Sequence, residues 1–252
     1  MSEYTYSAHA LPTPVTAPST SQQELDALQE RYAALRLEAL LTAPHAFGST
    51  HALESAFTPE EWRGKIWRED AVVLVCVARP PGAPAFDSDN QKEALLDSQS
   101  TWVGSAIMRG PLPGSEYELQ TSEGAPPLFG SDAEETKWHM TAVFASAAHR
   151  GCGIGKMLIQ KGKEYSLGRT AGLRGPSKAR FRVMIHPDNF VVVALYSKSG
   201  FVDAGRTTGQ EAYRANGDLD GWDKKYHSLS DEMKVYWTTA NVAIVMEWVG
   251  QI

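Results

Sequence analysis

Residues 71–78, AVVLVCVA, carry no polar side chain and are rich in β-branched valine. So short an apolar run, without alternation, reads as a strand buried on both faces. A strand of that kind requires a sheet around it and further elements packed above and below. Four other stretches read as strands of the same sheet: STWVGSAIMRG (100–110), KWHMTAVFA (137–145), RFRVMIH (180–186) and NVAIVMEWV (241–249).

Helical patterns fall between them. From Ser21, Leu25, Leu28, Tyr32, Leu35 and Ala39 recur at helical spacing, Ser21 and Glu24 form a capping box, and Pro44 ends the run. TPEEWRGKIWRE opens on Thr58 with Pro59 at the first helical position. GKMLIQKGKEYSLG reads as a helix, and NFVVVALYSKSG as another ended by Gly200. The order is helices, three strands, helix, strand, helix and a further strand, which predicts a mixed sheet in an α/β or α+β domain. Residues 1–20, rich in Ser, Thr, Pro and Ala, read as a flexible lead-in holding one short strand candidate, YTYSAHAL. A single domain is expected over 21–252, interrupted by insertions at 80–99, 111–136 and 205–239. The first two insertions are acidic: Asp87, Asp89, Glu93 and Asp97 lie in one, Glu116, Glu118, Glu123, Asp132, Glu134 and Glu135 in the other.

Composition narrows the function classes. A net charge of −6 offers no overall basic character for nucleic acid. Two distant cysteines, Cys76 and Cys152, exclude a disulfide framework and fit a reducing compartment. No apolar run reaches the length of a membrane span, and MSEYTYSAHALPTP lacks the basic and apolar regions of a secretory signal. The expectation is a soluble cytoplasmic protein with no membrane partner.

HRGCGIGKML (149–158) carries the chemistry. A glycine-rich turn between strand and helix presents backbone N–H groups and a helix N-terminus, a combination that binds phosphate. Arg150 and Met157 stand where an ATP-type loop needs Gly and Ser or Thr, and Gly151, Gly153 and Gly155 give G-x-G-x-G where a dinucleotide fingerprint needs G-x-G-x-x-G. What fits is R-x-x-G-x-G, from Arg150 to Gly155. About thirty residues on, NFVVVALYSKSGF supplies Asn189, Ala194, Leu195, Tyr196, Lys198, Gly200 and Phe201 in a second pattern, and LRLEALLTAPHAFGST lies upstream. Together these stretches resemble the signatures of the GNAT superfamily of N-acetyltransferases, in the family's order, over most of residues 30–202.

That resemblance implies a GNAT-type acyl-CoA-binding fold: a mixed, largely antiparallel central sheet with flanking helices. It implies an acetyl-CoA-dependent N-acetyltransferase in which a primary amine, of a small molecule or a peptide, attacks the thioester directly. Gly151, Cys152, Gly153, Ile154 and Gly155 would hold the pyrophosphate of coenzyme A, with Arg150 and Lys156 adding charge. Val143, Phe144 and Ala145 would pair with the pantetheine arm, the amide near Ala145 serving the oxyanion, and Asn189 would cap the following helix beside a pantetheine amide. Tyr196 matches the tyrosine that protonates the departing thiolate. At the position where some relatives carry a glutamate base this chain has His139, which leaves two alternatives: a histidine base or a water relay.

Other features have plainer readings. NGDLDGWDKKYH (216–227) imitates the start of a calcium loop but has His227 where a bidentate Glu belongs, so a polar turn is expected and no metal. Acidic insertions are either solvated loops or an attraction for a cationic acceptor. The last strand, apolar on both faces, is either covered internally or leaves a homodimer open. The alternative to an enzyme is a catalytically silent acyl-CoA-binding or sensor protein of the same fold.

Overall fold

The computed structural model describes residues 4–83, 91–119 and 129–252; the side chains of His45 and Gln91 are also outside the description. Asp87, Asp89 and Glu123 of the acidic insertions therefore lie outside the described residues.

In chain order the elements are β1 (Thr5–Ala10), α1 (Gln22–Thr42), α2 (His51–Glu54), α3 (Pro59–Ile66), β2 (Ala71–Arg79), α4 (Gln91–Leu96), β3 (Thr101–Leu112), α5 (Gly114–Tyr117), β4 (Glu135–Ala145), α6 (Ile154–Ala171), β5 (Lys178–Ile185), α7 (Phe190–Lys198), β6 (Val202–Thr207), α8 (Gly209–Asn216), α9 (Leu219–Ser228), α10 (Asp231–Thr239) and β7 (Ala243–Gln251). Seven strands form one sheet in the order β1-β2-β3-β4-β5-β7-β6. The β4–β5 pair is parallel, whereas β1–β2, β5–β7 and β6–β7 are antiparallel. This is the mixed, mainly antiparallel sheet that the pattern and the resemblance predict.

The chain divides into two compact units: residues 1–108 with 142–162, and residues 109–141 with 163–252. In the first unit, β2 is buried along its whole length, as its unbroken apolar run requires. The expected face of α1 packs on it: Leu28, Tyr32, Leu35 and Ala39 join Trp62, Val73, Val75, Val77, Trp102 and Phe144 in one core. Both predicted helix starts are present, Ser21 with Glu24 and Thr58 with Glu61, each a complete capping box. The short strand candidate within residues 1–20 is present as Thr5–Ala10, which pairs with β2 from Thr5↔Arg79 to Ala10↔Leu74.

In the second unit, the excursion read over 205–239 is helical rather than a polar loop. Thr208, Asp218 and Ser230 each cap a helix by accepting from a backbone N–H three residues ahead. The calcium-loop mimic is the junction of two of them: Gly217 takes φ +70 as the left-handed cap of α8, and Asp218 opens α9. No group of three metal-ligating side chains occurs among the described residues. No described helix is long and apolar enough to cross a membrane.

Candidate functional site

In the first unit, the glycine stretch forms an exposed turn at the start of an eighteen-residue helix. Gly151 and Gly153 take φ +79 and +80, a conformation that costs a residue with a side chain but not glycine. A Cβ at either position would meet nothing within 4 Å. Backbone conformation, not crowding, demands glycine here, and the space over both residues is open to a ligand. The first bond of the helical ladder runs from Met157 N to Gly153 O, so the amides ahead of it have no helical acceptor. Arg150 and Lys156 are exposed on either side of the turn, and Gly155 lies in the first turn of α6. Bare amides, positive φ, a helix N-terminus and two cations suit a pyrophosphate.

A further glycine seats that helix, and the sequence reading missed it. A Cβ on Gly104 of β3 would stand 2.4 Å from Ile154 Cγ2 and 3.0 Å from the Phe144 carbonyl oxygen. Only glycine lets β3 pass this close to the first residue of α6. The signal was visible, since glycine inside a strand pattern often marks a close approach.

The end of β4 departs from regular alternation. Its parallel register with β5 runs from Glu135↔Lys178 to Met140↔Val183, and two residues later Ala142 takes φ +54. Positive φ at a residue other than glycine is uncommon and is held only where the surroundings enforce it. Simple alternation therefore does not carry the facing of His139 on to Val143 and Ala145. Those two are half-buried, while Phe144 is buried beside Phe47, with ring centroids 6.5 Å apart. Its side chain is committed to the core, so Phe144 can offer a ligand only backbone groups. Ser146, next along, donates from Oγ to Glu38 Oε1 at 2.6 Å.

In the second unit, Tyr196 lies on α7 with 3% of its surface exposed. Its hydroxyl donates to Met140 Sδ at 3.8 Å and its ring meets Phe201 edge-on. Burial pushes the phenol well above its ordinary value, so it keeps its proton at neutral pH. Asn189 is exposed and caps α7, accepting from Val192 N.

His139 is fully buried and both ring nitrogens are engaged. Nε2 lies 2.8 Å from Asn216 Oδ1, and Arg182 Nε donates to Nδ1 at 3.5 Å. This fixes the neutral tautomer with its proton on Nε2. Burial first, then Arg182, lowers its pKa to about 3. In the first unit, burial and Lys161 lower His9 to about 4. Both histidines are neutral in the fold, whereas in the unfolded chain they take protons below about pH 6.5. The stability tied to these two groups is thus constant above that pH and falls as pH drops, from about 6.5 to about 4 for His9 and to about 3 for His139, the fully buried His139 contributing up to about 1.4 kcal/mol per pH unit. Chemical denaturation at several pH values should show this slope, and His139→Gln should shrink it in the second unit.

The same face of the sheet carries charges that sequence reading passed over. Arg180 donates to Glu135 Oε1 at 2.8 Å and to Glu247 Oε2 at 2.7 Å, and Glu247 also accepts from the Tyr117 hydroxyl at 2.7 Å. Arg182 stacks on the Tyr117 ring and donates to the Tyr117 carbonyl. The alternating arginines of RFRVM were the available signal. Described residues of the acidic insertions are likewise engaged: Asp97 pairs with Arg79, and Asp132 with Lys137.

No protein-family model matches the chain. No curated protein matches it either. Among solved structures, NAA60 of Arabidopsis thaliana in complex with a bisubstrate analogue is similar at 12% identity, covering 96% of this chain and 98% of its own, with a TM-score of 0.46. The ribosomal-protein-S18-alanine N-acetyltransferase of Escherichia coli is similar at 9% identity, covering 98% and 96%, with a TM-score of 0.44. An aminoglycoside acetyltransferase from an uncultured soil metagenomic sample is similar at 18% identity, covering 78% and 91%, with a TM-score of 0.42.

Proposed function

We propose that this chain is an acetyl-CoA-dependent N-acetyltransferase of the GNAT fold that transfers an acetyl group to a primary amine. The observation that carries this reading is the turn at 151–153: two exposed glycines at positive φ, open space above them, and a long helix starting immediately behind. The turn's amides, with Arg150 and Lys156, hold the pyrophosphate of coenzyme A. Backbone groups of Val143, Phe144 and Ala145 pair with the pantetheine arm, and an amide near Ala145 serves the oxyanion. Asn189 lies beside a pantetheine amide.

In the reaction the amine nitrogen attacks the thioester carbonyl, a C–N bond forms and the C–S bond breaks. Tyr196, a phenol that is protonated at neutral pH, gives its proton to the departing thiolate. Of the two routes for the amine's proton, the water relay is favoured. His139 has its Nδ1 lone pair turned to Arg182, and its pKa of about 3 makes it a weak base at neutral pH.

Calorimetric titration with coenzyme A and acetyl-CoA tests the reading. Wild type should bind both, and Arg150→Glu should weaken binding about ten- to a hundredfold, the scale of a lost charge-assisted contact. A wild type that binds neither sinks the proposal.

A further inference from the structure

The N-terminal strand reaches the glycine turn within the first unit. Tyr6 of β1 places its hydroxyl 3.1 Å from Nδ1 of His149, the residue just before Arg150. Cys152 lies between the two glycines at positive φ. The Tyr4 ring meets the His149 ring edge-on at 5.1 Å, and the Tyr6 ring does so at 5.8 Å. Cys152 Sγ is also 3.8 Å from the Arg150 carbonyl oxygen. The hydroxyl thus ties the residue just before the turn to a strand that is itself paired with β2 over six residues.

The turn has few other constraints. Gly151, Cys152 and Gly153 are exposed, and the glycines contribute no side chains that could pack. A chain of two glycines around one small residue samples many conformations when unrestrained, and holding it in one conformation removes an entropic cost from ligand binding. We propose that Tyr6 is a positioning residue for the phosphate-binding turn: through His149 it holds the backbone entering the turn in the shape that receives the pyrophosphate of coenzyme A. The proposal rests on the coenzyme A reading above and adds to it a regulator of affinity placed far away in sequence.

The test separates a loop-positioning role from a general loss of stability. Coenzyme A and pantetheine, which lacks the pyrophosphate and the nucleotide, are titrated calorimetrically into wild type, Tyr6→Phe and His149→Ala. Tyr6→Phe keeps the ring contacts and removes only the hydroxyl. It should weaken coenzyme A about three- to tenfold, as one lost hydrogen bond does, and leave pantetheine unchanged. His149→Ala should weaken coenzyme A in the same direction, and the double variant should lose less than the sum of the two, because both remove the same tie. Unchanged affinity for coenzyme A in Tyr6→Phe, or equal weakening for pantetheine, overturns the proposal while the coenzyme A reading stands. A wild type that does not bind coenzyme A overturns both. Thermal unfolding of each variant confirms that the folded fraction is equal; if Tyr6→Phe fails to fold, His149→Ala at the other end of the tie gives the answer alone.

Discussion

Replacing Arg180 with methionine is expected to destabilise the second unit by about 3–5 kcal/mol, the cost of removing one partner from a buried ion pair. The guanidinium lies between two carboxylates that are each 3% exposed, Glu135 on β4 and Glu247 on β7, and it bonds to both. Methionine matches the volume of the aliphatic stem but leaves two carboxylates facing each other without a cation. One or both must then take up a proton, so the loss should be smaller in acid than at neutral pH. Urea denaturation at about pH 5 and about pH 7.5 checks both statements. A variant as stable as wild type would mean that water reaches this network and solvates the carboxylates.

Tyr196→Phe should lower turnover of acetyl-CoA about a hundred- to ten-thousandfold if its hydroxyl supplies the leaving-group proton. The change removes one oxygen whose hydrogen-bond partner is the weakly accepting sulfur of Met140, so the fold loses little. Affinity for coenzyme A should stay as in wild type. The expected pattern is therefore a fall in kcat with unchanged binding, measured with an amine acceptor found by screening. Turnover within a few-fold of wild type would remove Tyr196 from the chemistry and leave it as a core tyrosine packed on Phe201.

Much of the frame was legible because it is written locally. The capping boxes at Ser21 and Thr58, the unbroken apolar run of β2 and the helical spacing of α1 each state their structure within about a dozen residues. The glycine turn was legible for the same reason, since only a special backbone conformation explains glycines packed so densely. Strand β1 was harder to read: TYSAHA has a weak pattern, and its order comes from a partner some seventy residues away. Helices α8 to α10 were hidden by their polar faces, although Thr208 with Glu211 three residues later is a helix-start signal. Ala142 gave no warning at all, because nothing about alanine calls for positive φ. The engagement of His139 was equally out of reach, for it depends on Asn216 and Arg182 arriving from distant segments.

The junction between α8 and α9 limits how this chain can be shortened. Asn216 holds the His139 ring, and the carbonyl of the preceding Ala215 accepts from Arg109 at 2.7 Å. Arg214, in the same helical turn, donates to the Glu118 carbonyl. Excising the three helices to make a minimal version would strip partners from an imidazole and a guanidinium on two neighbouring strands and from a carbonyl beyond α5. The strands beneath the segment depend on it, and trimming would have to begin by replacing those polar residues with apolar ones.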